Sequence, residues 1–355
     1  MAWDCSGQTN DPVGLTNVIA IASGCCSDLR LALTADGVVT AWGSANNVFG
    51  ELNVPADLSN VVAISAGQLH SLALKSDGTV VAWGAGATTN LMPYVDWGQS
   101  VVPAGLSNVV AIAGGYYHSM ALRSDGTVVW WGADYNGLIH LPADLSNVVM
   151  LASGMYHNLA LRADGSMAAW GLNYSGEGGV PDGATNLIAV TAGAGHNLAL
   201  KADGTVLAWG SEQGYCQGFP SGEFTGVVAI ADGDVGSPTS VALKADGTVV
   251  GRGCCFPTGL TNIQAIAVGN LGGVALVGDG PPPTSAAVTG LIRDHGSFRL
   301  TVASQSGRVY RLEYKNALVE ADWVGLPLVA GNGGALTLTD STAVSTQRFY
   351  RVRRW

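Results

Sequence analysis

The sequence predicts an all-β protein, namely a seven-bladed β-propeller closed by its N-terminal strand and followed by a small C-terminal β-sandwich. Three observations predict this fold class. Strand-length apolar phrases recur seven times in a fixed order. Asp-Gly dipeptides, which favour hairpin turns, stand inside the repeats. The two ends of the repeated region supply complementary halves of one repeat.

Each repeat is built from three phrases. The first has the form NVVAIAAG and opens at Asn17, Asn60, Asn108, Asn147, Asn186, Gly226 and Asn262. The second has the form LALxxDG, with its aspartate at Asp36, Asp77, Asp125, Asp164, Asp203, Asp246 and Asp279. The third has the form VVAWG, with its tryptophan at Trp42, Trp83, Trp131, Trp170 and Trp209, and with Arg252 in the sixth copy. Each phrase is predicted to be one strand of a blade.

The seventh repeat has no third phrase, because ALVGDG runs directly into PPP. Residues 1–4, MAWD, match the missing phrase. In a closed ring this N-terminal strand would complete the last blade and leave no open sheet edge. The propeller is therefore predicted to span residues 1–280.

The remaining chain differs from the repeats. Residues 281–285 form a Pro-rich linker. Residues 286–355 contain segments such as SFRLTVAS and RVYRLEYK, which alternate apolar and polar residues. This pattern predicts a small β-sandwich of the Ig or fibronectin-like type. Its Arg-rich face would either contact an acidic surface, including that of its own propeller, or lie in solvent.

Charge excludes some classes of partner. Residues 1–283 carry 7 Lys and Arg against 21 Asp and Glu, a net charge of −14, whereas residues 284–355 carry +4. An acidic surface repels phosphate, so we expect no nucleic-acid partner. Apolar runs stay well below the eighteen or so residues that span a bilayer, so no membrane span is predicted.

The repeat resembles a known family. The frame GxxHSLALxxDGTVxAWG, as in GQLHSLALKSDGTVVAWG from Gly67, resembles the RCC1-type propeller repeat. The closest likeness is to its bacterial branch, which includes a secreted β-lactamase-inhibitory propeller. The sixth copy departs from the pattern by an insertion, and the seventh lacks the histidine. The resemblance implies a propeller that grips a protein with aromatic residues on one face. Its contact residues cannot be carried over, because those positions are the ones that vary.

A binding face is predicted from the direction of the strands. Loops between the first and second strands must lie on the same face as loops that follow the third strand, opposite the Asp-Gly turns. Large apolar and aromatic side chains concentrate in those loops: Phe49, Leu69, Tyr94, Trp97, Tyr116, Tyr117, Tyr135, Met155, Tyr156, Tyr174 and Tyr215. Tyr and Trp are favoured at binding hot spots. We therefore expect a non-catalytic protein that captures a protein partner on this face, with enzyme inhibition as one form of capture.

Two other functions compete with this interpretation. The same aromatic rings could stack on sugars in a carbohydrate-binding or carbohydrate-active propeller. The family resemblance also implies exchange of guanine nucleotides. This activity needs a particular small GTPase and has no further support in the sequence. No G-x-S-x-G, P-loop or G-x-G-x-x-G motif occurs in a suitable context. The acidic residues that an enzyme could use on this face are Asp232, Asp234 and Glu177.

Four histidines stand at equivalent places in successive repeats: His70, His118, His157 and His196. Equivalent positions on different blades are too far apart to share an ion that needs ligands at about 2 Å. We expect each ring to bond to neighbouring backbone and brace its blade. Neither a metal site nor a cofactor is predicted.

The six cysteines are placed by the same argument on the binding face: Cys5, Cys25, Cys26, Cys216, Cys254 and Cys255. An even, clustered set favours disulfides and an extracellular or periplasmic protein. Cys5 would pair with Cys25 or Cys26, and Cys216 with Cys254 or Cys255. Vicinal bridges and a thiolate metal site are the alternatives. The start, MAWDCSGQTND, has neither the basic nor the apolar region of a signal peptide.

Overall fold

A computed structural model describes most of the chain. The described residues are 2–4, 11–24, 28–43, 47–87, 97–134, 140–210, 224–233, 240–252, 259–269, 272–279, 282, 286–294, 296–343 and 348–354. These residues form strands, turns and loops without any helix, which confirms the predicted all-β class. No described helix is therefore long and apolar enough to cross a membrane.

The first 277 residues contribute twenty-one strands to the described structure. They are β1 (Ala2–Asp4), β2 (Val18–Ser23), β3 (Arg30–Thr34), β4 (Val39–Trp42), β5 (Val61–Ala66), β6 (His70–Lys75), β7 (Val80–Gly84), β8 (Val109–Gly114), β9 (His118–Arg123), β10 (Val128–Gly132), β11 (Val148–Ser153), β12 (His157–Arg162), β13 (Met167–Gly171), β14 (Leu187–Ala192), β15 (His196–Lys201), β16 (Val206–Gly210), β17 (Val227–Asp232), β18 (Ser240–Lys244), β19 (Val249–Arg252), β20 (Ile263–Val268) and β21 (Gly272–Val277). Each of the three sequence phrases therefore forms a strand.

These strands form repeated three-stranded antiparallel sheets. In chain order the sheets are β2-β3-β4, β5-β6-β7, β8-β9-β10, β11-β12-β13, β14-β15-β16, β17-β18-β19 and β20-β21-β1, numbered here sheets 1 to 7. In sheet 7 the third strand comes from the other end of the region, because β1 pairs antiparallel with β21 and places Trp3 opposite Gly273.

The first strands of neighbouring sheets contact one another. β2 contacts β5, the contacts continue through β8, β11, β14 and β17 to β20, and β20 contacts β2. Together these strands surround a cavity of about 360 Å³, here called the central channel. Small residues such as Ala111, Ala152 and Ala192 line it. Small side chains let seven strands approach a common axis.

The second strands form the core between sheets. Leu72 and Leu74 of β6 and Leu159 and Leu161 of β12 are fully buried. Each second strand is flanked by partners within its own sheet and packs against the next sheet, as β6 does against β8. Burial on both faces explains why LALK reads as a continuous apolar run rather than an alternating one.

Two backbone devices recur at the Asp-Gly ends of the sheets, here called the turn face. A left-handed Asn or Gly precedes the first strand in sheets 1 to 7, and a left-handed Gly in the Asp-Gly turn is described in sheets 1 to 6. Asn60 adopts a left-handed φ of 57°, and Gly226 takes the same role in the sixth repeat with φ 74°. Gly78 has φ 79°, and the Asp77 carboxylate accepts hydrogen bonds from the backbone N–H and hydroxyl of Thr79. Asn and Gly tolerate left-handed backbone best, which explains the residue types at these places. The predicted Asp-Gly hairpins are confirmed.

The last seventy residues contribute seven further strands to the described structure. They are β22 (Val288–Asp294), β23 (Ser297–Ala303), β24 (Val309–Lys315), β25 (Val324–Gly325), β26 (Val329–Ala330), β27 (Ala335–Asp340) and β28 (Phe349–Arg354). One sheet has the order β22-β23-β27, and in the other β24 pairs with β25, β26 and β28. Leu300 and Leu338 of the first sheet share a buried cluster with Tyr310 and Leu312 of the second.

This C-terminal region packs on the turn face of the repeated sheets. Leu328 donates a backbone hydrogen bond of 2.8 Å to the carbonyl of Ala163, which follows β12. Val309 and Leu328 join the buried cluster that contains Leu187 and Leu200. The C-terminal region does not pack on the opposite face, which carries the loops.

Candidate functional site

Two sets of loops share one face, here called the loop face. In sheets 2, 3 and 4 the residue after the third strand donates a backbone hydrogen bond to the carbonyl of the residue before the second strand. Ala85 donates to the Leu69 carbonyl at 2.8 Å, and Ala133 donates to the Tyr117 carbonyl at 2.8 Å. Loops that are close in space but distant in sequence are thereby joined.

The glycine and histidine of the Gly-x-x-His phrase, which four repeats carry, are packed against each other. A Cβ added to Gly67 would lie 2.1 Å from Cε1 of His70 and 2.7 Å from the carbonyl oxygen of Gly115. Gly115 and His118 have the same relationship, also at 2.1 Å. Only glycine leaves room for the ring. The two residues between Gly and His are free to vary, because they project from a loop whose ends are held.

Each histidine links its sheet to the next. His70 Nε2 lies 2.9 Å from Ser119 Oγ, and His118 Nε2 lies 2.7 Å from Asn158 Oδ1. The partner is therefore the side chain that follows the histidine of the next sheet. The expectation that these rings bond to neighbouring backbone was wrong in this respect. A side chain reaches across the gap between sheets, whereas local backbone is already used in strand pairing.

These buried rings are neutral. Burial, and to a smaller extent the neighbouring His118, lower the pKa of His70 to about 3. Burial lowers the pKa of His118 to about 4, although its hydrogen bond to Asn158 acts in the opposite direction. Within the described part of the chain no cluster of His, Cys, Asp or Glu could hold a metal ion.

Three buried polar residues position the loops that follow the third strands, and the sequence reasoning missed two of them. They are Glu51, Gln99 and Glu177. The carbonyl of Glu51 accepts hydrogen bonds from Ser71 Oγ at 3.1 Å and Trp83 Nε1 at 3.0 Å. Gln99 repeats this arrangement with Ser119 and Trp131, and Glu177 with Asn197 and Trp209. The signal in the sequence is a constant spacing of 20 and 32 residues.

The side chains of the same three residues hold the backbone of the loop tips. Glu51 Oε2 accepts from the N–H of Phe49 at 3.1 Å, and Gln99 Oε1 accepts from the N–H of Trp97 at 2.8 Å. Both carboxylate oxygens of Glu177 are used, by the N–H groups of Tyr174 and Ser175. Glu177 is therefore a brace for the loop.

The predicted aromatic residues fall into two groups. Tyr116, Tyr117 and Tyr156 form a compact group, here called the tyrosine cluster. The Tyr116 and Tyr117 rings lie 4.2 Å apart between centroids, and the Tyr116 and Tyr156 rings lie 5.4 Å apart. All three rings are half-buried, as are Leu69 and Met155 on the same set of loops. The cluster joins sheets 3 and 4 across their boundary.

The second group is dispersed over the other loops. Phe49 is half-buried, whereas Trp97 is 36% exposed and Tyr174 is 83% exposed. These rings stand at the loop tips that Glu51, Gln99 and Glu177 hold. The predicted residues Tyr94, Tyr135 and Tyr215 lie outside the described residues, as do Asp234 and all six cysteines.

Asp232 takes part in an interaction at the end of β17. Its Oδ1 lies 2.5 Å from Nε2 of His196 and accepts from the Ser240 hydroxyl at 2.9 Å. Ser240 Oγ also lies 3.3 Å from the same Nε2. A Ser-His-Asp triad uses the two ring nitrogens for different partners, and here both partners meet one nitrogen. The group continues the series of links between sheets.

Comparison with known proteins gives this architecture a family context. The model of the Regulator of chromosome condensation (RCC1) repeat matches residues 61–87, 109–138 and 187–215. Each matched segment covers the three strands of one sheet. The chain has an RCC1-like β-propeller.

Solved structures share the fold of this RCC1-like propeller at low sequence identity. Prp20p from Saccharomyces cerevisiae, described with its binding to Gsp1p and histones, has a TM-score of 0.59 and 21% identity, over 77% of this chain and 84% of that one. Yeast RCC1 (Prp20) bound to Kap60 has a TM-score of 0.56 and 23% identity, over 75% and 82%. Human WBSCR16 has a TM-score of 0.56 and 17% identity, over 75% and 87%. No curated protein sequence is a significant match.

Proposed function

We propose that this RCC1-like propeller is a non-catalytic binding protein that captures a protein partner on its loop face. The single observation that carries the proposal is the tyrosine cluster, in which three half-buried rings pack on adjacent loops. Such rings are largely ordered before binding, so a partner gains apolar contact at a low cost in side-chain entropy. Their hydroxyl groups add hydrogen bonds that select the partner.

The arrangement of the sheets supports a rigid platform for this face. We propose a seven-bladed propeller over residues 1–280 in which β1 completes the last blade, a linker at 281–285, and a small β-sandwich over 286–355. The pairing of β1 with β21 and the return of contacts from β20 to β2 support the ring. The cluster shared by the two C-terminal sheets supports the sandwich.

The position of the C-terminal region supports the choice of face. It packs on the turn face through Leu328 and Val309. A partner that approached the turn face would have to displace this contact, whereas the loop face stays available. Protein binding is also the activity described for Prp20p, with Gsp1p and histones, and for the yeast complex with Kap60.

Inhibition of a secreted enzyme, as in the bacterial β-lactamase-inhibitory branch, is the specific form of capture that we propose. The negative charge of residues 1–283 favours a partner with a basic surface. An extracellular or periplasmic location and disulfides among the six cysteines belong to the same proposal. Mass measurement of unreduced peptides would detect such bridges, and six free thiols would contradict them.

Carbohydrate binding is the second candidate, and the exposure of Tyr174 favours it. An exposed ring on a braced loop can stack on a sugar face, whereas a protein partner benefits more from packed rings. A glycan array with the wild type and Tyr174→Ala would separate the two functions. A saccharide-specific signal that Tyr174→Ala removes would support carbohydrate binding.

The test of protein capture uses the immobilised chain and a panel of purified secreted enzymes that includes β-lactamases. We compare the wild type with a Tyr116→Ala/Tyr156→Ala variant. Tyr174→Ala serves as the matched control on the same face outside the cluster. Removal of two hot-spot rings should weaken binding of a retained enzyme at least about a hundredfold. Equal retention by the wild type and the double variant would show that the cluster is not the contact surface.

A further inference from the structure

One arginine of the C-terminal region lies at the floor of the central channel. Arg308 lines this channel together with Gly307. It also lines a smaller adjoining cavity, where its neighbours include Val18 and Val228 at the beginnings of β2 and β17. Arg308 therefore occupies the turn-face end of the channel, opposite the end where β17 finishes at Asp232.

The backbone around Arg308 is tightly held. The N–H of Gln305 donates to the buried Tyr310 hydroxyl at 2.9 Å, and the N–H of Gly331 donates to the Arg308 carbonyl at 2.8 Å. A Cβ on Gly331 would lie 2.0 Å from the Gln305 carbonyl oxygen, so the turn and residue 331 are in close contact. The position of the guanidinium is thus determined by a rigid turn rather than by a flexible loop.

The Arg308 guanidinium has no counter-charge in the described structure. None of the described residues forms a hydrogen bond or an ion pair with it. Burial, and second the positive charge of Arg354, lower its pKa. The Arg308 side chain is half-buried. Proteins normally pair a partly buried cation with an acidic group or use it to bind an anion.

The adjoining cavity combines a mostly apolar wall with two cationic and two amide side chains. It has a volume of about 160 Å³, and its polar lining residues are Arg308, Arg354, Gln305 and Gln264. Neither Asp nor Glu is among the described residues that line it. Arg354 Nη1 donates to Gln305 Oε1 at 3.4 Å, and both arginines line the same cavity.

We propose that this cavity, here called the arginine pocket, binds the oxyanion group of a small molecule, either a phosphate or a carboxylate. Arg308 would supply the main contact, with Arg354 and the Gln264 amide as further donors. A cavity of about this volume holds roughly six heavy atoms, as the benzene-sized example of about 150 Å³ shows. This site lies at the opposite end of the channel from the loop face, so the inference does not depend on the proposed protein partner.

The first test measures binding of two defined anions by the full chain. Inorganic phosphate and succinate are titrated separately by calorimetry at constant ionic strength, with chloride as the balancing anion. Saturable binding of phosphate alone assigns a phosphate ligand, and saturable binding of succinate alone assigns a carboxylate ligand. Binding of neither anion would overturn the proposal.

Three variants connect the binding to the pocket. Arg308→Met should weaken binding at least about tenfold, and Arg354→Gln should weaken it to a smaller extent. Arg293→Gln removes the same charge from an exposed position of β22 and should leave the affinity unchanged. A loss of equal size in Arg293→Gln would mean that net charge rather than the pocket is responsible, and would also overturn the proposal.

The second test measures thermal unfolding without and with the anion. Because none of the described residues pairs with Arg308, Arg308→Met should melt at a higher temperature than the wild type in buffer without phosphate or succinate. Saturating anion should raise the melting temperature of the wild type and leave that of Arg308→Met unchanged. A lower melting temperature for Arg308→Met without anion would show that the guanidinium stabilises the fold, and would contradict a vacant anion site. If Arg308→Met does not fold, the binding test is carried out with Arg354→Gln.

Discussion

Nε2 of His118 lies 2.7 Å from Oδ1 of Asn158, in the second strand of the next sheet. The two residues are 40 positions apart, one repeat along the chain. His157 makes the same bond to Asn197 at 2.6 Å. A local sequence phrase therefore becomes a connection between sheets, and the connections run in one direction around the propeller.

The buried histidines predict a loss of stability in mild acid. Below pH 6.5 the unfolded chain takes up protons on its histidines, whereas folded His118 stays neutral until about pH 4 and folded His70 until about pH 3. The unfolded state therefore binds more protons between those values, and stability falls as the pH is lowered through this window. Each of these histidines should contribute a slope of about 1 kcal/mol per pH unit.

Urea unfolding at pH 7.5, 6.5, 5.5 and 4.5 measures this slope. His118→Gln keeps a donor for Asn158 but cannot be protonated, so its stability should depend less on pH. The exposed His140 provides the control, because His140→Gln should leave the slope unchanged. Identical slopes for the wild type and His118→Gln would show that the folded ring takes up its proton near the ordinary pKa.

The contact between Gly67 and His70 predicts that the glycine cannot be replaced. Gly67→Ala would place a Cβ 2.1 Å from the His70 ring and 2.7 Å from a backbone carbonyl, so the link between sheets must shift. We expect a loss of about 3 kcal/mol in the free energy of unfolding. Gly290→Ala is the control, because its Cβ would come no closer than 3.6 Å to Thr301. Thermal or urea unfolding that ranks the two variants equally would contradict the role of this contact.

The left-handed backbone of the asparagines predicts that glycine is tolerated at these positions and that alanine is not. Asn60 has φ 57°, and the equivalent Gly226 shows that glycine fits this place. Asn60→Gly should stay within about 0.5 kcal/mol of the wild type, whereas Asn60→Ala should lose about 1 kcal/mol or more from backbone strain. Urea midpoints measure both. If Asn60→Ala were as stable as Asn60→Gly, the asparagine would be kept for its side chain and not for its backbone.

The loop brace at Glu177 predicts that an amide replaces the carboxylate only in part. Gln99 holds another loop with a single acceptor, where its Oε1 accepts from the N–H of Trp97. Glu177→Gln keeps one acceptor oxygen but turns its NH2 group toward the second N–H, so it should lose about 1 kcal/mol. Glu177→Ala leaves the N–H groups of Tyr174 and Ser175 without their partners and should cost about 2 kcal/mol.

Hydrogen exchange of residues 173–178 would locate the effect of the Glu177 variants. Exchange should be fastest in Glu177→Ala, whereas Glu177→Gln should lose protection at only one of the two N–H groups, that of Tyr174 or that of Ser175. Wild-type protection in Glu177→Ala would show that the carboxylate does not hold the loop.

Much of the fold was predictable because each repeat states the same information again. The Asp-Gly turns, the fully apolar second strands and the glycines after Trp83 and Trp131 all recur in register. Seven imperfect copies of one pattern identify the strands and turns where a single hairpin would leave their assignment ambiguous. The position of the loops on one face followed from strand direction alone, and the bond from Ala85 to Leu69 agrees with it.

The candidate site was predictable only in part. The sequence predicted Tyr116, Tyr117 and Tyr156 on one face with eight other loop residues, but not the contacts between their rings, since contacts between sheets depend on how the sheets pack. It also left Glu177 as a possible catalytic group, because an isolated carboxylate in a loop looks the same whether it is free or bonded to backbone. The partners of the histidines were also assigned to the wrong class.

The sequence by itself determined the repeat, the strands and the turn chemistry, because these depend on interactions within about 35 neighbouring residues. Only the tertiary structure decided which residues act across sheets. The link from His118 to Asn158 joins two sheets, and the place of Arg308 at the central channel brings the C-terminal region to the first strands. Their geometry depends on how sheets pack around an axis, and local patterns of polarity carry no record of that packing.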